Sequence, residues 1–473
     1  MKTILAGYCA GLLLASLAQA QDADSIKAAV GAPRADTKGQ LAGDLNFGQI
    51  GEDWYATLNA TFTLDLGKVA FGIQAPLHFL VVDNDPENSA IGGILREEDW
   101  DEFSDYLKII RFFRFGHKGD FIFVQVGDLP GAVLGHGTIV NRYYNNSDLN
   151  HYKMGLQFDL NTDYGGAETL VNGVAQFNLF GARAYIRPWS FVDPDAYLNN
   201  LAVGFTLVTD VTAPYALAYD TTQTPAVPIV EDNLPKVAES KAATVMGGDI
   251  EFRLLHNDVI TLTPYIDMNG ILGAGAGLHA GLLNTFHIPI ISLDLSARIE
   301  YRYFAADYIP AYFDSFYEIQ KFAYPVRDVA TNQDAEFPKR AALEHLGDKG
   351  LNGYYAELVF DFLGLLQLGA SYDDYDGLYN SNLRIYLNVP ALEVFKFGAY
   401  YYKHNFEGAD QAFTFDDKSL FLVEAKYQIN SFLYLVGQFW RIWKLDEDPN
   451  SDSYGTYQGV NDWSVGFGFS YQF

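Results

Sequence analysis

The stretch that most constrains the fold is Trp463-Ser464-Val465-Gly466-Phe467-Gly468-Phe469-Ser470-Tyr471-Gln472-Phe473. Every odd position is apolar or aromatic, and every even position is Ser, Gly or Gln. Side chains on a strand alternate faces, so this is one strand with a greasy face and a small, polar face. A soluble sheet that ended on such a strand would expose a sticky edge. A closed barrel in lipid has no edge: its last strand pairs with its first, and the greasy face meets acyl chains.

The other end is read as a secretory signal. Met1-Lys2-Thr3 is a short positive region, Ile4 to Leu17 is an apolar core, and Ala18-Gln19-Ala20 fits the small-x-small cleavage rule. The expected mature start is therefore near Gln21, after cleavage at Ala20. The single cysteine, Cys9, lies inside this signal and follows Tyr8, which is too large for a lipidation site. The mature chain then has no disulfide, no thiolate metal site and no Cys nucleophile.

Composition fits a barrel better than a helical membrane protein. Hydrophobic residues make up 49% of the chain, yet no run after the signal supplies the uncharged apolar length of a spanning helix. Tyr (32) and Phe (35) are abundant, as aromatic girdles require. Without Lys2 there are 30 basic residues against 59 acidic, a net charge of −29, which argues against nucleic acid as a partner.

Alternation recurs along the chain. In Leu293-Asp294-Leu295-Ser296-Ala297-Arg298-Ile299-Glu300-Tyr301-Arg302-Tyr303 the odd positions are apolar and the even ones charged or Ser. The same pattern marks 54–66, 152–160, 246–254, 382–389 and 421–429. Tight joins at Leu66-Gly67-Lys68, Gly116–Asp120, His256-Asn257-Asp258, Gly364-Leu365, Pro390-Ala391 and Asn430-Ser431 alternate with long polar stretches near 83–105, 129–149, 210–241 and 304–352. The terminus and this alternation resemble Gram-negative outer-membrane, porin-like barrels, whose assembly machinery reads a closing aromatic strand. The resemblance implies an all-β, antiparallel, up-and-down transmembrane barrel with short periplasmic turns and long extracellular loops. It reaches the class and no particular member. The tally is about 20 strands, or 18, because the stretch 166–188 is poorly marked.

The expected domains are a signal peptide (1–20), a short periplasmic segment (21–38) and one barrel (39–473). Inward faces offer Asp249, Glu251, Arg253, Asp294, Arg298, Glu300, Arg302, Glu357, Asp361 and Arg384, with Glu424 and Lys426 beyond them. They read either as a solvated wall with cross-strand ion pairs or as a transverse field that selects solutes. Seven aromatics crowd residues 308–324, among them Tyr308, Tyr312, Phe316 and Tyr317, which predicts a lid packed on itself or into the mouth. Pro338 precedes a short helix-like run, Lys339–Leu346. The 129–149 loop, with Gly135-His136-Gly137, can instead fold inward as a constriction. Phe469, Tyr471 and Phe473 are the expected assembly signal.

Residues 83–105 carry nine acidic side chains against one base, Arg96. Asp446, Asp448, Asn450 and Asp452 have the spacing of weak calcium ligands, although Asp-Pro turn formation explains them equally well. No cofactor is expected. Hydrolase, metalloprotease and nucleotide-binding motifs are missing, and the nine His residues are scattered singly, so no enzymatic activity is expected. The function these features imply is a water-filled outer-membrane channel for small hydrophilic solutes, cation-preferring because its loops are acidic. Its partners are membrane lipid, lipopolysaccharide and the assembly machinery, and a homo-oligomer is compatible with the sequence. The other reading is a non-channel barrel that serves as adhesin, scaffold or export partner.

Overall fold

The computed structural model describes residues 39–472 apart from 51–52, 85–89, 101–102, 147–150, 223–225, 232, 306, 348, 377–380, 390–393, 417, 447–450 and 452. Twenty antiparallel strands close into one barrel. They are β1 (Gly39–Ile50), β2 (Asp53–Asp65), β3 (Val69–Val82), β4 (Ile110–Phe115) and β5 (Ile122–Gly127). Next come β6 (Gly155–Asn161), β7 (Gly165–Val171), β8 (Leu179–Ile186), β9 (Leu201–Asp210) and β10 (Ala243–Phe252). The wall continues with β11 (Ile260–Ile271), β12 (Ala276–Ile288), β13 (Leu293–Phe304), β14 (Leu351–Phe362) and β15 (Leu366–Tyr375). It ends with β16 (Ser381–Val389), β17 (Phe395–Phe406), β18 (Ser419–Gln428), β19 (Leu433–Leu445) and β20 (Tyr457–Gln472). The weakly marked stretch 166–188 resolves into β7 and β8, which fixes the number at twenty.

The seam pairs Leu41 with Tyr471 and Gly43 with Phe469, and Gln40 donates to Ser470 Oγ across it at 2.7 Å. The alternation of the closing strand is realised: Trp463, Phe469 and Tyr471 face outward, while Gly466 and Gly468 are buried. On β13 the same rule places Ile299, Tyr301 and Tyr303 outside and Arg298, Glu300 and Arg302 inside. Lipid on one side and a polar lumen on the other reward this two-residue period, because a one-residue slip would reverse both faces.

One end of the barrel carries mostly tight turns and the other carries the long connections. At the tight end, Leu66 N–H donates to Val69 O at 2.8 Å and Leu365 N–H to Phe362 O at 2.9 Å. The exception there is 187–200, which folds as two short 3₁₀ turns. The join expected at Pro390-Ala391 lies outside the described residues.

Two long loops turn into the lumen and meet. The connection 128–154 enters below the rim, and 305–350 comes down on it; Val140–Asn141 of the first pairs in parallel with Phe313–Asp314 of the second. Leu129, Leu134, Val140 and Tyr143 then form one apolar core with Tyr308, Tyr312, Phe313 and Tyr317. Burying each of these aromatics contributes roughly 2 kcal/mol. The expected helix after Pro338 is a single turn, Lys339–Ala342.

Candidate functional site

The inward course of 128–154 begins at Gly127, whose φ is 105° and whose Cβ position would lie 2.4 Å from Arg111 O, so only glycine fits. Asn145 then clamps the base. Its Oδ1 accepts from Leu129 N–H at 2.8 Å, and its Nδ2 donates to Lys153 O at 2.7 Å and Asn172 O at 3.1 Å. Asn146 donates to Asp128 at 2.8 Å. With both ends held, the tip Gly135-His136-Gly137 is driven against the far wall.

There His136 bridges two carboxylates. Nδ1 lies 2.8 Å from Asp267 Oδ1 on β11, and Nε2 lies 2.8 Å from Glu251 Oε2 on β10. The ring stacks on Tyr265, with centroids 4.0 Å apart, and Thr138 donates to Asp267 Oδ2 at 2.5 Å. Burial alone would lower the imidazole pKa, but the hydrogen bonds it donates to both carboxylates win and raise it to about 9. The tip is therefore an imidazolium tied to the wall on both sides.

Beside it runs a chain of paired charges. Arg298 Nε lies 2.7 Å from Glu300 Oε1, Arg302 Nε lies 2.6 Å from Glu300 Oε2, and the Tyr265 hydroxyl also donates to Glu300. Tyr355 lies between the two guanidinium groups, 4.7 Å from Arg298 and 4.6 Å from Arg302. Arg142, from the inward loop, pairs with Glu357 on β14. On the opposite side Arg183 holds Asp249 at 2.7 Å and Glu168 at 2.9 Å. Each charge is matched where water is scarce, which removes most of the penalty of burial.

Of the lumen residues expected from sequence, Asp249, Glu251, Arg298, Glu300, Arg302 and Glu357 come together around this loop. Arg384 is buried over the Tyr402 ring, 4.8 Å from its centroid. Asp294 and Asp361 do not join them. Both stand at the short-turn rim, Asp294 beside His287 and Asp361 accepting from Gly364 N–H at 2.9 Å. Arg253 follows the end of β10, its N–H on Asn200 O. Glu424 and Lys426 pair with each other at 3.3 Å on another part of the wall.

The lid residues are all buried. Tyr308 hydroxyl meets His279 Nε2 at 3.1 Å, and Phe316 stacks on Tyr402 at 4.5 Å. Tyr312 and Tyr317 flank the Lys339 ammonium, 5.2 and 5.7 Å from it. Glu318 takes Lys153 at 2.5 Å, Lys321 at 2.7 Å and the Tyr143 hydroxyl, so one carboxylate ties the two loops together. Burial opposes its charge, but the two lysines hold its pKa far below the usual carboxylate range.

Asp446 accepts from Ser451 and Ser453, each at 2.5 Å, while Asp448, Asn450 and Asp452 lie outside the described residues. Among the described residues no group of three His, Cys, Asp or Glu side chains is placed to hold a metal. Phe469 and Tyr471 face outward, and Phe473 lies outside the described residues.

Sequence reasoning allowed the Gly135-His136-Gly137 loop to fold inward but assigned His136 no role, and it missed Arg142, Arg183, Tyr265 and Asp267. Two of these were within reach. Thr261, Thr263, Tyr265, Asp267 and Asn269 occupy every second position of β11, and extending the alternation would have turned them inward. Arg142 carried no such signal. It stands on an irregular loop with φ of 54°, a left-handed conformation uncommon outside glycine.

Between the loop tip and β11–β14 lies a cavity of about 380 Å³. His136, Asn141, Arg142, Thr263, Arg298 and Glu357 are in its lining. That size is within the range of small-molecule sites.

No family model matches the sequence, and no curated protein matches it. Among solved structures, the chain is similar to the siderophore receptor PirA from Acinetobacter baumannii, at 9% identity and a TM-score of 0.34, over 93% of this chain and 81% of that one. It is similar to Wzi, an Escherichia coli outer-membrane protein involved in group 1 capsule assembly, at 9% identity and 0.34, over 98% and 95%. OccK10 (OpdN) of Pseudomonas aeruginosa gives 9% and 0.34, over 93% and 99%. Likenesses this faint carry no argument about what the chain does.

Proposed function

We propose that the chain is an integral outer-membrane channel for small hydrophilic solutes, with its passage set by the inward loop 128–154. The observation that carries this reading is the His136 staple beside a cavity of about 380 Å³ into which Arg142, Arg298 and Glu357 reach. A wall built only for stability would gain more from apolar filling than from this many buried, matched charges. Its short-turn end would face the periplasm and its long loops the exterior. Lipid and lipopolysaccharide would contact the outer face, and the assembly machinery would engage the strand bearing Phe469 and Tyr471. For inorganic ions we propose a cation preference, set at the mouth by acidic loops such as 83–105, with nine acidic side chains against one base.

The experiment is single-channel recording in planar bilayers. Discrete open levels from refolded protein are expected. A folded barrel that stays silent would favour the second reading, a non-channel adhesin, scaffold or export partner. One feature supports that alternative: the two loops share an apolar core, with Tyr143, Phe313 and Tyr317 fully covered inside the barrel.

A further inference from the structure

The cavity under the loop tip has unused binding capacity on buried groups. Arg298 is 6% exposed, and its Nε and Nη2 are spent on Glu300 and Tyr265. Its Nη1 has no hydrogen-bond partner among the described residues. It is directed past the loop: a Cβ on Gly137 would lie 2.8 Å from it. Asn141, 5% exposed, likewise has a side-chain amide with no partner among the described residues. Its Oδ1, an acceptor, is 3.1 Å from the same Cβ position, which leaves the amide Nδ2 as an unused donor beside the guanidinium. Neither group is sealed off: both reach the lining of the cavity, where a ligand can supply the missing bonds.

Beside Arg298 stands the opposite charge, on its directly paired neighbour on β14. Glu357 is bonded to Arg142 and to the Tyr355 hydroxyl, but a carboxylate has about four acceptor positions and its side chain remains 17% exposed. Thr263, Thr285 and Ser296 line the cavity on the other side of Arg298, toward β11 and β12. The site thus offers unused donors on Arg298 and Asn141, an acceptor next to them on Glu357, and hydroxyls along the neighbouring strands.

We propose that this cavity binds a small zwitterion, an amino-acid-like solute whose carboxylate bonds Arg298 Nη1 and Asn141 and whose ammonium meets Glu357. The inference rests on the channel reading only for how the solute arrives. A zwitterion has no net charge, so the acidic mouth that repels a free anion does not exclude it. Binding in a conducting path must also be weak enough for release.

The probes are glutamine as the zwitterion, xylitol as a neutral polyol and gluconate as an anion. Calorimetry on folded protein in detergent reads binding directly, and proteoliposome swelling reads entry. Glutamine should bind where xylitol does not, and should enter several-fold faster. Asn141→Ala and Glu357→Gln should each weaken glutamine binding about tenfold, the worth of one charge-assisted bond. Arg298→Gln should abolish it, but this change strands Glu300, so its folded state must be checked by heat-modifiability. Gluconate bound more tightly than glutamine, or binding unmoved by Asn141→Ala and Glu357→Gln, would overturn the proposal. A conducting barrel indifferent to glutamine would remove the site and leave the channel. A silent barrel that binds glutamine would remove the channel and leave the site.

Discussion

Nδ1 of His136 lies 2.8 Å from Oδ1 of Asp267, joining residues 131 apart in the chain. The contact pins the tip of an inward loop to the barrel wall, and with Glu251 on the other nitrogen it does so only while the ring is protonated on both sides.

That makes loop docking sensitive to alkaline pH. The group has a raised pKa, about 9 against 6.5 when free, so its contribution is fully present below 6.5 and is lost as pH rises through 9. The shift corresponds to about 3 kcal/mol. Channel noise and hydrogen exchange of residues 133–142 should therefore rise above pH 9. In His136→Gln the same measurements should be nearly flat with pH and high throughout. A parent whose loop protection does not change between pH 7 and 10 would dismiss the staple.

How much of this could be read in the chain follows from where regularity holds. On β13 and β20 a period of two assigns each side chain to a face, so Arg298, Glu300, Arg302, Phe469 and Tyr471 were placed correctly from sequence. Alternation does not say how far along the barrel axis a residue lies. Asp294 and Asp361 share the inward face with Arg298 and Glu357 yet end at the rim, occupied with turn contacts. Loops have no period at all. The aromatic density of 308–324 announced burial, whereas His136 and Arg142 work through contacts with strands more than a hundred residues away, as in the bridge to Glu251.

Glu318 should be the most sensitive single position in the lid. It is 2% exposed and carries Lys153, Lys321 and the Tyr143 hydroxyl. Glu318→Ala leaves a buried Lys153 without its counter-charge and should cost about 3–5 kcal/mol of local stability. Because its folded pKa is depressed, the contribution exists above the free value of 4.5 and fades as pH falls below it. Protease cleavage within 305–350 should thus increase at acid pH in the parent, and at all pH values in Glu318→Ala. Equal cleavage of the two at pH 7 would show that the clamp is unimportant.

Deleting residues 308–346 and bridging the gap with a Gly-Ser linker should raise conductance and preserve the barrel. The shortened connection costs little in itself, and β13 and β14 stay paired from Leu293–Phe362 to Phe304–Leu351. The segment also covers Tyr143 and Val140, so residues 128–146 should become more accessible to exchange. A deletion variant that folds and conducts like the parent would place the lid outside the permeation path.

The sign of ion selectivity tests whether mouth or constriction controls the field. The acidic stretch at 97–102 includes Asp99, which is not free: His78 Nδ1 lies 2.5 Å away, Arg96 lies 2.9 Å away, and these partners with Lys108 hold its pKa low although burial opposes its charge. Neutralising Asp99 would disturb the loop as well as the field, so the variant should change Glu97, Glu98, Asp101 and Glu102 to Gln or Asn and spare it. If the mouth dominates, the parent prefers cations and the preference weakens with salt, since the Debye length falls from about 10 Å at 0.1 M to about 3 Å at 1 M. Arg142 and Arg298 act against this from inside, but both are paired, with Glu357 and Glu300, and so contribute little net potential. Reversal potentials across a salt gradient should show cation preference at low salt, reduced in the four-residue variant. An anion-selective parent, or one unmoved by the four changes at low salt, would assign control to the constriction.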